Sequence, residues 1–153
     1  MASSTGRELH NGHSAGKEAT WRLLRNAGRH LAPGGRPAFD TRNPAVREWL
    51  TWNAREWREV RPIPELGLVE ESGEASHDPA TGIVTIDHIY RFLDHGQERH
   101  ARSRIRFIDQ LHLARLIGEA GLRPTDFYGW WDRTAFGPES QEIIAVMEKP
   151  AGN

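Results

Sequence analysis

The amino-acid sequence predicts an α/β fold with an antiparallel β-meander inserted into it. Three stretches carry that reading. Residues 30–44, HLAPGGRPAFDTRNP, end a helix at a Pro-Gly-Gly corner, run through a short apolar segment and stop at polar residues. Glycine supplies the left-handed cap that closes a helix, and proline cannot continue it. Residues 83–107 hold two β-branched and aromatic runs separated by a turn, as strands prefer. Residues 109–149 return to an amphipathic helix and two apolar strands.

The elements follow in order. Residues 1–19 are polar and rich in Ser, Gly and His, so they are expected to form a disordered or loosely helical tail. His10 and His13 lie there without an ordered third ligand, which makes a solvated tail the better reading than a metal site. Trp21, Leu24, Ala27 and Leu31 recur at helical spacing, with arginines on the other face. A strand is expected over about Arg36 to Arg42, where Pro37 is tolerable near a strand start. Asn43-Pro44 reads as an N-cap and first helical residue, predicting a helix with Val46, Trp49, Leu50, Asn53 and Trp57 on one face.

Residues 61–107 are expected to form the meander. LGLVEE is a short strand, DPATG (78–82) a turn, IVTIDHIYRF (83–92) a strand, DHGQ (94–97) a turn and ERHARSRIRF (98–107) a strand. Period two puts Val84, Ile86, His88, Tyr90 and Phe92 on one face. It also puts Ala101, Ser103, Ile105 and Phe107 on one face of the next strand, with Arg102, Arg104 and Arg106 on the other. Asp109 is a helix cap, Leu113, Leu116, Ile117 and Ala120 the buried stripe, and Gly121 the stop.

The totals narrow the classes. A chain of 153 residues predicts one domain. Its 20 basic and 21 acidic side chains nearly cancel, so no overall charge steers it to nucleic acid or an anionic membrane. It has no cysteine, which excludes disulfides and thiolate metal sites. No apolar run approaches the ~20 residues that span a bilayer, and no secretory signal is visible. A cytoplasmic protein without a metal site is expected.

In this order the segments resemble the C-terminal half of a class I S-adenosylmethionine-dependent methyltransferase, of a bacterial small-molecule branch. HLAPGGRPAFDTRNP resembles the family's helix-to-fifth-strand passage. RSRIRF leading into DQLHLARLIGEAGLRP is similar to its next helix and sixth strand. FYGWWDRTAFGPESQEIIAVMEKP resembles its ending, in which the last strand runs antiparallel. The inserted meander is the fourth likeness, and together they cover about Trp21 to Pro150. The resemblance implies a partial Rossmann-like sheet, made of the last three strands with the final one antiparallel, in a truncated domain over 20–150. It also implies S-adenosylmethionine as donor and a small-molecule acceptor.

The family's cofactor half has no counterpart. Its glycine-rich turn lets the backbone approach the cofactor, and an acid binds the ribose hydroxyls. The early glycines Gly6, Gly12 and Gly16 follow no apolar strand, so no such loop is assigned. A complete seven-stranded fold needs roughly 170 residues before any insertion. The expectation is a truncated or split methyltransferase with an incomplete donor site, working with a complementary N-terminal half.

The candidate site residues each have a plainer reading. Arg42, at the carboxyl end of its strand, is a substrate anchor or an ion-pair partner. His88 is a general-base candidate, being the residue type that titrates near neutrality, or else a hydrogen-bonded sheet residue. Tyr90 shares its face. The arginine stripe is a solvated face paired with Asp87 and Glu98, save Arg106, which matches the family's Arg-Phe pair and is a pocket candidate. Trp52 is an aromatic wall, and Tyr128 with Trp131 a pocket lining, or all three are packing residues. Two other functions stand beside the enzyme: an interaction module pairing through an exposed sheet edge with itself or a homologue, and a small RNA- or ligand-binding domain.

Overall fold

The computed structural model describes the backbone of residues 11–151 and the side chains of 18–151. The chain order is α1 (Asn11–His30), β1 (Ala38–Arg42), a 3-10 turn (Glu48–Thr51), β2 (Arg58–Ile63), β3 (Gly67–Asp78), β4 (Ile83–Phe92), β5 (Gln97–Arg106), α2 (Gln110–Glu119), β6 (Arg123–Tyr128) and β7 (Glu142–Glu148). It forms two compact units. One is Met1–Ala45 with Ile108–Asn153, and the other is Val46–Phe107. Of the tail expected over 1–19, residues 1–10 lie outside the described residues, and from Asn11 the backbone belongs to α1.

In the first unit the sheet order is β1-β7-β6. β7 pairs antiparallel with both neighbours, through Phe39↔Ala145 and Phe127↔Ala145. β1 and β6 therefore run in the same direction. The core joins both helices to β7: Leu24, Leu113, Leu116, Ile117, Leu122, Ile143, Ala145 and Met147 are buried together. Leu113, Ile117 and Ile143 are fully enclosed, each worth about 1.5–3 kcal/mol of transfer free energy. Asp109 caps α2 by accepting from the His112 N–H at 2.8 Å, and Gly121 follows the helix at φ 81°. Both agree with the sequence reading.

β1 starts two residues later than expected, at Ala38. Pro37 sits just before it and contributes its carbonyl to the Met147 N–H, so the missing donor falls at the strand's entrance.

The second unit is a four-stranded antiparallel sheet, order β2-β3-β4-β5. β4 and β5 have the bounds the alternation predicts, within a residue. β3 is twice as long as the six-residue run that the sequence marks, at 12 residues, and β2 was not expected at all. Val84, Ile86 and Phe107 form its core with Trp49, and Trp52, Trp57 and Ala75 pack on it.

The helix expected after Asn43-Pro44 is absent. The chain makes turns and one 3-10 turn instead, entered through Arg47 in left-handed geometry at φ 53°. Trp49 is buried as expected, but by stacking on His77 and meeting Phe107 edge-on rather than along a helical stripe. Asn43 is no helix cap. Its side chain accepts from the Ala45 N–H and donates to the carbonyls of Pro138 and Ser140, so it closes a local turn and ties it to the loop before β7.

Candidate functional site

Chemistry-bearing side chains meet on one face of the four-stranded sheet. The register sets Glu71 opposite Tyr90, Gly73 opposite His88, and Ile86 opposite Ser103. Paired residues share a face, so Glu71, His88, Tyr90 and Ser103 project the same way from three adjacent strands. His88 Nε2 lies 2.8 Å from Ser103 Oγ, and Nδ1 lies 3.4 Å from Glu71 Oε1. Arg61 donates to Glu71 Oε2 at 2.6 Å. The Trp57 ring meets His88 edge-on at 5.2 Å, and Tyr90 lies parallel to it at 6.0 Å. Trp57 fits because Gly73 has no side chain: a Cβ there would stand 2.6 Å from the indole.

The electrostatics are local. Burial pushes the Tyr90 hydroxyl up from the usual tyrosine value, and the charge of Glu71 and a hydrogen bond to it add to that. His88 has a carboxylate on one side and a hydroxyl on the other. That arrangement can accept a proton at Nε2 and hold the resulting cation against Glu71.

The opposite face is an ion-pair surface. Arg102 makes two hydrogen bonds to Asp87, at 2.6 and 3.1 Å, and holds that carboxyl below its usual range. Arg91 bridges Glu70 and Glu98, and Arg91 with His100 lowers Glu98 in the same way. Arg106 belongs to this face, since it pairs with Ile83 and not with a residue of the His88 set. Its Nη2 donates to the Thr81 carbonyl at 3.0 Å, its Nη1 is buried without a partner, and burial holds its pKa down. The sheet thus separates Arg106 from His88. Trp52 packs in this unit's core with its ring 6.0 Å from Phe107.

The remaining candidates lie in the first unit. Arg42, ending β1, is 3.8 Å from the buried Glu142 that starts β7. Tyr128 ends β6 opposite Ile144 and bridges to Ala135. Both stand at the same end of the three-stranded sheet. Trp130 and Trp131 are exposed, at 50% and 58%, so packing in the core or over an edge describes neither.

Glu71, Ser103, Trp57 and Arg61 were not singled out from sequence. Ser103 had a signal: the 94–97 turn and the alternation of the flanking runs together set it beside His88. Among the described residues, no group of three or more His, Asp or Glu side chains is placed to hold a metal ion. His10 and the His13 side chain lie outside the described residues. No described helix is long and apolar enough to cross a membrane.

No family model matches the chain, and no curated protein does. Solved structures do. The chain is similar to the CcbJ methyltransferase from Streptomyces caelestis at 22% identity and TM-score 0.65, over 88% of this chain and 51% of that one. It is similar to an S-adenosylmethionine-dependent methyltransferase from Clostridium acetobutylicum at 12% identity and TM-score 0.69, over 94% and 56%. The sugar N-methyltransferase KedS8 from Streptoalloteichus matches at 14% identity and TM-score 0.55, over 90% and 53%. These likenesses show a fold shared with methyltransferases. The chain spans about half the length of each.

Proposed function

We propose that this chain is the C-terminal part of an S-adenosylmethionine-dependent methyltransferase acting on a small molecule, with its donor site completed by an N-terminal half that lies outside these 153 residues. One observation carries the reading. A β1-β7-β6 sheet with an antiparallel central β7, backed by α1 and α2 and interrupted by a four-stranded meander, overlays methyltransferases over most of this chain and only half of theirs.

The described residues do not fit the donor. The strand-to-helix connection from β5 to α2, residues 107–109, holds no glycine. The glycines at positive φ, namely Gly34, Gly67, Gly82, Gly96 and Gly121, stand at a helix-to-strand corner, in hairpin turns and at a helix end. None offers backbone N–H groups at the start of a helix. No transfer step is therefore assigned to this chain alone.

Its residues support acceptor chemistry. His88, backed by Glu71, is the proton acceptor for an acceptor hydroxyl or amine, and Tyr90 lines the same face. Arg42, Tyr128 and Trp131 belong at the carboxyl ends of the parallel strands, where open α/β sheets bind ligands. Trp52 and Arg106 are further binding candidates, with Arg106 on the meander's other face. A cytoplasmic location goes with this reading.

Isothermal titration of the chain with S-adenosylmethionine and S-adenosylhomocysteine tests it. No binding by the chain, with binding restored by an N-terminal half, is the expected outcome. Micromolar binding by the chain alone overturns the incomplete donor site. Among the described residues β1 has no neighbour on its outer side, which favours a second reading, an interaction module that adds a strand there. A mass that rises with concentration and an absence of donor binding with any partner would select it.

A further inference from the structure

We infer that Ser103 is the residue that meets the acceptor on the meander face, and that its hydroxyl relays the acceptor's proton to His88. This rests on the methyltransferase reading for its substrate, but not for its geometry.

His88 has no direct way out. It lies on β4, an inner strand, and its side chain is only 18% exposed. Nε2 is taken up by Ser103 Oγ at 2.8 Å. Nδ1 is buried beside Glu71, and the ring lies between the Trp57 edge and Tyr90. Ser103 stands on β5, the edge strand, half-buried, between Ala101 and Ile105 of the same face, which are exposed. A small molecule approaching this face therefore reaches the serine oxygen before either imidazole nitrogen.

The relay balances. The acceptor's proton passes to Ser103 Oγ as the serine's own proton passes to Nε2. The hydroxyl is regenerated, the acceptor keeps its electron pair, and the new positive charge rests on an imidazolium facing Glu71. The Nδ1 to Oε1 distance of 3.4 Å leaves room for that contact to tighten once the ring is charged. Glu71 is itself anchored by Arg61, so it is held in place to receive it. In this scheme Ser103 touches substrate, and Glu71 is a positioning residue.

The same array has a signature that needs neither donor nor acceptor. A serine oxygen that passes its proton to a histidine reacts with a fluorophosphonate: the oxygen–phosphorus bond forms, fluoride leaves and Nε2 takes the proton. Mass spectrometry of the full chain is expected to find Ser103 labelled, at least tenfold more slowly in His88→Asn and severalfold more slowly in Glu71→Gln. In Ser103→Ala, carbethoxylation of His88 should speed up severalfold because Nε2 is uncovered. This arm does not depend on the His88 variant folding. Labelling of Ser103 no faster than that of Ser140, labelling indifferent to His88→Asn, or carbethoxylation unchanged in Ser103→Ala would each overturn the relay. Donor titration reads the methyltransferase assignment separately, so the two fail independently.

Discussion

Asn43 carries three hydrogen bonds from one nearly buried side chain: its amide donates to Pro138 at 3.1 Å and Ser140 at 2.7 Å, and its oxygen accepts from Ala45. Truncation leaves two carbonyls and one N–H short of partners. Asn43→Ala is therefore expected to destabilise the chain by about 2 kcal/mol in urea unfolding. Asn43→Asp should do no better, because a carboxylate cannot donate to either carbonyl. A loss under about 0.5 kcal/mol for the alanine variant would mean that the latch is not made in solution. Tyr90 gives a second residue-level test. The chain has 2 tyrosines, so Tyr128→Phe leaves Tyr90 as the sole phenol absorbing at 295 nm. Its titration midpoint should lie above the ordinary value near 10, chiefly through burial, and Glu71→Gln should lower it part of the way by removing the carboxylate charge. The folded value exceeds the unfolded one, so the stability this group contributes is complete below the ordinary value. It is lost as pH rises through the folded value. A midpoint that Glu71→Gln does not move would separate the two side chains.

At the scale of elements, the β3–β4 ladder depends on one missing side chain. A Cβ at Gly73 would stand 2.5 Å from the Asp87 carbonyl oxygen and 2.6 Å from the Trp57 ring, and backbone cannot yield as a flexible side chain does. Gly73→Ala should cost about 2 kcal/mol or more and shift the Trp57 emission, whereas Gly118→Ala, with open space around it, should not destabilise. Equal stability of the two variants would show that Trp57 does not cover Gly73. The same glycine explains part of what sequence reading missed. SGEASH, at 72–77, is small and polar and carries no strand alternation, yet it pairs throughout with β4 because Trp57 fills the space that Gly73 leaves open. Glu71 ends the LGLVEE run that does read as a strand, but without the 72–77 continuation no register sets it opposite Tyr90 and beside His88. β2 escaped for a related reason: all its residues are exposed and it contains Pro62, which only an edge strand accommodates. α2 was legible because cap, apolar stripe and stop all agree within a dozen residues. The false helix after Asn43 had only its starting signal, and that asparagine's hydrogen-bonding groups serve a turn and a loop instead.

For the molecule as a whole, the open side of β1 decides between an enzyme half and a self-sufficient unit. The Asn43 N–H donates to Gln141 and the Met147 N–H to Pro37, which sets the odd-numbered positions of β1 as those bonded to β7. The amides of Phe39 and Thr41 are then inside the ladder, while those of Ala38, Asp40 and Arg42 point away from it. In a dilute sample of the chain, hydrogen exchange should be fast at Ala38, Asp40 and Arg42 and slow at Phe39 and Thr41. Adding an N-terminal methyltransferase half should slow the outward set selectively, because a parallel neighbour would take up those donors and acceptors. Protection of the outward set that rises with concentration of the chain alone would instead identify a second copy as the neighbour, which is the interaction-module reading. Protection already equal to that of Phe39 in a dilute monomer would remove the open edge, and with it the structural reason for a partner. Exchange at the alternating amides of one five-residue strand thus separates the split enzyme, the self-pairing module and the closed domain, and it does so before any acceptor is known.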